Sequence, residues 1–256
     1  MILLSSSYVQ MNQPERARPL GARVLELRRS TLGDYHPLTL TAIANLAGVY
    51  AVERQFDAAT PLVNESLNLS RRTPPEKSAF VGPFLTSLGW HYLEHGDVTH
   101  ANALCEIAFQ AMQRSPTFNP LANYWITANL GAVRLTQQNY AEATTLLREA
   151  LLQTEKHDAD GGYALFVMNL LAASLAGQKN YAEAEPLLLK SCEGLQQHQA
   201  SLAPFLNAPR RITESLERLV QLYEAWGKPV QAAEWKEKLA AFEQANKTGE
   251  KKGARP

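Results

Sequence analysis

Three histidines within one short stretch are the first residues that could do chemistry. His91 and His95 lie one helical turn apart, the spacing at which two imidazoles can grip a metal ion, and His100 follows five residues later. His100 falls beyond the turn that ends the helix, so the spacing predicts structural histidines and no metal site. Asp158, Asp160 and Gly161 match the opening of a calcium loop, but its twelfth position is Asn169, where a bidentate glutamate is required; the segment reads as a turn that starts the next helix. Cys105 and Cys192 make neither a disulfide framework nor a metal cluster. Cys105, four residues past Ala101 on an apolar helix face, reads as a small buried hydrophobe. The sequence has no Gly-x-Ser-x-Gly elbow, no His-Glu-x-x-His and no phosphate-cradling glycine loop. No catalytic residue, cofactor or metal is therefore expected, and the chain is not expected to be an enzyme.

Charge narrows the partners. Lys plus Arg and Asp plus Glu both number 25, a net charge of zero. A duplex nucleic-acid binder needs a positive footprint to meet phosphates, so none is expected here. No apolar run approaches the roughly 18 residues that span a bilayer. Residues 1–8 lack a basic leader and a long apolar region, so no secretory signal is read there and a cytoplasmic setting is expected.

What must position any functional residue is a repeat. A leucine and an alanine thirteen residues apart recur as Leu4/Ala17, Leu46/Ala59, Leu88/Ala101, Leu130/Ala143, Leu171/Ala184 and Leu219/Ala232, with offsets of 42, 42, 42, 41 and 48 residues. Three residues past each alanine stands Leu20, Leu62, Leu104, Leu146, Leu187 or Trp235. A fixed long period marks an array of one supersecondary unit. Within residues 120–156, Leu121, Trp125, Ala128, Leu130 and Val133 keep helical spacing. Gln137, Gln138 and Asn139 interrupt it, and Tyr140, Ala143, Leu146, Leu147, Ala150 and Leu151 resume it. Each unit is thus two helices joined by a tight turn. The residue after the repeating leucine is mostly small (Ser5, Ala47, Gly89, Gly131, Ala172), which lets the two axes approach closely. Tyr8, Tyr50, Tyr92 and Tyr223 stand four beyond the leucine; Arg134 and Leu175 break that rule.

Leu-small-x-x-Tyr followed by Tyr140, Ala141, Glu142, Ala143, or by Tyr181, Ala182, Glu183, Ala184, resembles the tetratricopeptide signature. The 42-residue period, with Gly33, Asp34, Tyr35, His36, Pro37 and Leu38 ahead of a first helix, resembles the kinesin-light-chain type. In that segment Asp34 is expected to cap the helix, Pro37 to sit in its first turn, and His36 to belong to the turn. Arg218, Leu219, Leu222, Tyr223, Trp226, Gly227 and Lys228, with Gly177 and Tyr181 to Leu187, resemble the closing repeats of tetratricopeptide regions in large bacterial Ser/Thr protein kinases. None of the kinase motifs themselves is present. The resemblance implies an all-α, right-handed α-solenoid of antiparallel helix pairs that binds protein.

The expected organisation is an incomplete repeat over 1–30 and repeats over 31–72, 73–114, 115–156 and 157–196. A loop and a capping repeat follow over 197–246, then a disordered tail over 247–256. The extra residues of the last interval fall within 198–211, where Pro204 and Pro209 break helical continuity. First helices are expected to line a concave groove, with Asn45, Trp90, Glu94, Trp125 and Asn129 as its candidate residues. Asparagine amides can satisfy both the donor and the acceptor of a ligand peptide unit, and tryptophans supply apolar anchors. Loss of micromolar peptide binding on Asn129→Ala or Trp90→Ala is the corresponding expectation. A positive clamp for a terminal carboxylate is not evident. The expected function is a non-catalytic scaffold binding protein or peptide segments. The alternatives are a regulatory C-terminal fragment of such a kinase, or an assembly or spacer module that self-associates through apolar Leu3, Leu4 and Tyr8 of the incomplete repeat.

Overall fold

The computed structural model describes Tyr8 and residues 13–72, 82–114, 120–158, 161–199 and 207–253. Among them the secondary structure is helical throughout: α1 (Pro14–Leu32), α2 (Pro37–Val52), α3 (Phe56–Arg72), α4 (Gly82–His95), α5 (Val98–Arg114), α6 (Pro120–Thr136), α7 (Tyr140–Asp158), α8 (Gly162–Gly177), α9 (Tyr181–Gln197), α10 (Ala208–Ala225) and α11 (Pro229–Gly253). No helix among the described residues is long and apolar enough to cross a membrane.

Two compact units divide the chain, Met1–Gln137 and Gln138–Pro256. In the first, α2 packs on α1, α3 and α4; α4 packs on α5 and α6; and α5 packs on α3 and α6. In the second, α8 packs on α7, α9 and α10, and α10 packs on α9 and α11. Within their units α2, α4 and α8 thus each meet both a following second helix and the next first helix, the nearest-neighbour stacking that a repeat needs to bury its faces.

The thirteen-residue rhythm forms the seam. Ala17, Ala59, Ala101, Ala143 and Ala184 are all fully buried, as are Leu88 and Leu219 of the facing helices. Gly89 shows how close the approach is: a Cβ there would stand 2.8 Å from Cys105 Sγ and 3.3 Å from the Ala101 carbonyl. Leu104 and Leu147 fill the groove beside the alanines.

The hairpin turns share one construction. Arg54, Gly96, Lys179 and Gly227 each take positive φ, at 58°, 93°, 63° and 73°. The next amide then reaches back five residues: Gln55 N–H to the Tyr50 carbonyl, Asp97 to Tyr92, Asn180 to Leu175 and Lys228 to Tyr223, at 2.8–2.9 Å. This is the Schellman closure, in which a left-handed residue lets an amide satisfy a carbonyl of the last helical turn. The position four beyond the repeating leucine therefore has a backbone duty as well as a packing one. Where its tyrosine is missing in α6, Arg134 instead reaches α5 and donates to Asn102 and, at 2.5 Å, to Glu106.

Several local expectations change. His36, not Asp34, caps α2: its Nδ1 accepts from the Leu38 amide at 3.1 Å, with Pro37 at the helix start. Asp34 instead faces Arg29 Nε at 3.4 Å. Pro209 belongs to the first turn of α10, capped by Asn207, because a proline lacks only an amide that the first turn leaves unbonded anyway. Helix α11 runs on to Gly253, past the point where a tail is expected; Lys247, Glu250, Lys251 and Lys252 favour helix, while Gly249 does not. Leu3, Leu4 and Pro204 lie outside the described residues.

Candidate functional site

All five groove candidates lie in the first unit, on first helices that pack in the order α2, α4, α6. Asn45 of α2, Trp90 and Glu94 of α4 and Trp125 of α6 are each partly exposed. Asn129 is not: only 1% of it is exposed. Its Nδ2 donates to the Trp125 carbonyl at 2.7 Å, one turn back on its own helix, and its Oδ1 is buried without a hydrogen-bond partner. The sequence reading sets Asn129 among the ligand contacts; in this structure its amide is turned inward. Register alone does not decide this, because Asn45, also one residue before the repeating leucine, is partly exposed.

The nearby histidines are held by separate partners. His95 stacks flat on Phe56, with ring centroids 3.5 Å apart. His100 places Nδ1 2.7 Å from Asp97 Oδ2. Burial lowers the pKa of His91, against the opposing pull of Glu94. Burial likewise pushes the thiols of Cys105 to about 12 and Cys192 to about 11, so both are un-ionised at neutral pH and suited to packing.

The second unit contains a polar arrangement that the sequence reading missed. Asn169 of α8 is 3% exposed. Its Nδ2 donates to Ser191 Oγ of α9 at 3.0 Å and to Ser215 Oγ of α10 at 2.5 Å. Its Oδ1 accepts from Arg218 Nη1 of α10. One amide thus ties three helices together. Next to it, Arg211 is 5% exposed, lies over the Phe166 ring and donates to Glu214 at 2.7 Å. A signal for Arg218 was present in the sequence: it stands one residue before the repeating Leu219, the register of Asn45 and Asn129. Asn169 stands two before the repeating Leu171, also a first-helix face position, but was not among the candidates.

Comparisons with known proteins agree with the helix pairs. A family model described as "Tetratricopeptide repeat" matches residues 1–72 and 121–197, more than half of the chain. No curated protein matches. Among solved structures, BtubC (BKLC) from P. vanneervenii is similar at 19% identity and a TM-score of 0.66, over 95% of this chain and 94% of that one. A kinesin-light-chain-type protein from Podosopora anserina, with nearly identical tetratricopeptide-like repeats, gives 20% identity and a TM-score of 0.60 over 77% and 93%. PilF from Pseudomonas aeruginosa gives 20% and 0.60 over 93% and 88%. At these identities the likeness concerns the fold.

Proposed function

Because the chain belongs to the tetratricopeptide-repeat family, we propose that it is a non-catalytic scaffold whose first-helix face in the first unit binds extended segments of partner proteins. One observation carries this reading. Packing α2, α4 and α6 side by side leaves Asn45, Trp90, Glu94 and Trp125 partly open on consecutive first helices. Amide and indole groups at repeat spacing suit a ligand that offers backbone donors and acceptors at intervals and apolar side chains between them. Asn129 supports Trp125 from within instead of touching the ligand. This revises its expected role and weakens the expected effect of Asn129→Ala.

Peptide arrays probed with the purified chain, followed by anisotropy titration of the best sequences, test the reading. Trp90→Ala and Asn45→Ala are expected to weaken binding about tenfold each, the cost of losing an anchor or a backbone-binding amide. Unaltered affinity in the Trp90→Ala, Asn45→Ala double variant places the ligand elsewhere.

A further inference from the structure

Helix α6 departs from the other first helices on its core side. Three residues before the repeating leucine, those helices bury Ile43, Leu85, Met168 and Leu216; α6 has Thr127 there. Seven residues before it, α2, α8 and α10 bury Thr39, Ala164 and Ile212; α6 has Asn123. The Thr39 hydroxyl is bonded, donating to the Gly33 carbonyl at 2.7 Å. In α6 Asn123 Oδ1 and Thr127 Oγ1 are buried without a hydrogen-bond partner, and so is Asn129 Oδ1. Among the described residues no other helix carries three such atoms. Asn123 and Thr127 stand four apart, one above the other on the same side of the helix.

Burying an oxygen strips its water and, without a partner, returns nothing. Thr127 also forgoes the apolar contact that a leucine-sized side chain makes at its register. The first half of α6 therefore gains less from packing than the same stretch of α2, α8 or α10. The second half is pinned. Leu130 and Val133 are buried, and Arg134 donates to Asn102 and Glu106 of α5. Anchoring this uneven along one helix lets one end open while the other holds.

We propose that the first half of α6 is a conformational joint of the first unit: residues 123–129 open from the α4 and α5 surfaces on which α6 packs, while the stretch from Leu130 to Thr136 stays in place. Trp125 rides on the moving half, so the row of partly open side chains on α2, α4 and α6 is complete only in the closed form. That consequence for binding rests on the groove reading above. The opening itself rests on packing and hydrogen bonding alone.

Amide hydrogen exchange of the full chain, read by mass spectrometry and corrected for intrinsic rates, tests the joint. Residues 124–130 are expected to exchange about tenfold faster than the same registers of α2, α8 and α10, residues 40–46, 165–171 and 213–219. Residues 131–136 should be as protected as residues 172–177 of α8. The double variant Asn123→Leu, Thr127→Val replaces both unbonded groups by apolar ones and should slow exchange over 124–130 about tenfold, with α8 unchanged. Equal protection of the four stretches in the wild-type chain overturns the joint and leaves the groove reading standing, since no ligand takes part. Exchange as fast over 131–136 as over 124–130 overturns the division at Leu130. Unchanged or faster exchange in the folded double variant also overturns the proposal, because the two oxygens are then satisfied, as by a trapped water. The wild-type comparison holds even if the double variant fails to fold. Failure of the groove reading, decided by peptide titration, leaves the exchange pattern as it is.

Discussion

Asn129 and Asn169 make an instructive pair. Both are buried asparagines on first helices, one in each unit. Asn129 spends its amide on its own helix, donating to the Trp125 carbonyl, and leaves Oδ1 unbonded. Asn169 spends its amide on two other helices and accepts from Arg218. The first is a local bond that a helix already closed by its own ladder hardly needs. The second joins α8, α9 and α10, so its value lies between elements. Burial and residue type are the same; what differs is whether the neighbouring helices offer hydroxyls, as Ser191 and Ser215 do.

The largest expected effect tests that contrast directly. Asn169→Leu leaves two buried serine hydroxyls and the Arg218 guanidinium without their shared partner and should cost about 3 kcal/mol in urea unfolding. A loss comparable to an ordinary surface change would show that the network is idle. Next comes a pair of glycines in the first unit. Gly89→Val should cost about 2 kcal/mol, because the added Cβ meets Cys105 and Ala101 in the seam. Gly48→Ala in α2, with nothing within 4 Å of the new methyl group, should instead stabilise by about 1 kcal/mol. If both lower the melting temperature, the close approach at Gly89 is not what limits that position. Asn129→Leu should change stability by no more than about 0.5 kcal/mol, since replacing a half-satisfied buried amide by an apolar group of similar size is nearly neutral; a cost like that of Asn169→Leu would erase the distinction between the two.

The smallest effect is a pH dependence. Burial lowers the His91 pKa below its unfolded value, so the unfolded chain binds the proton more readily. The His91 contribution is therefore complete above the unfolded pKa of about 6.5 and is lost as pH falls from there through the folded value. Unfolding free energy measured at about pH 7.5 and about pH 5.5 should fall less in His91→Gln than in the wild-type chain. Equal slopes would assign the pH dependence to other groups.

The repeat was legible in the sequence because it rests on residue size at fixed spacing: Leu88, Ala101 and Leu104 could be placed in the core by counting alone. Caps were less legible. Asp34 and His36 both have an acceptor near Pro37, and which one reaches the Leu38 amide depends on backbone angles that spacing does not encode. The candidate surface was half legible. The first-helix positions of Trp90 and Trp125 followed from the period, but the inward turn of Asn129 depends on packing around it. Arg218 was visible in register, but its bond to Asn169, forty-nine residues earlier in the chain, is not encoded by spacing.

The Schellman turns at Arg54, Gly96, Lys179 and Gly227 bear on how the chain reaches this state. Each lets a helix pair close through contacts only a few tens of residues apart, so a hairpin can assemble before its neighbours exist. Loop-closure entropy then stays small at every step, and folding should start at more than one hairpin and spread along the array, quickly for a chain of this length.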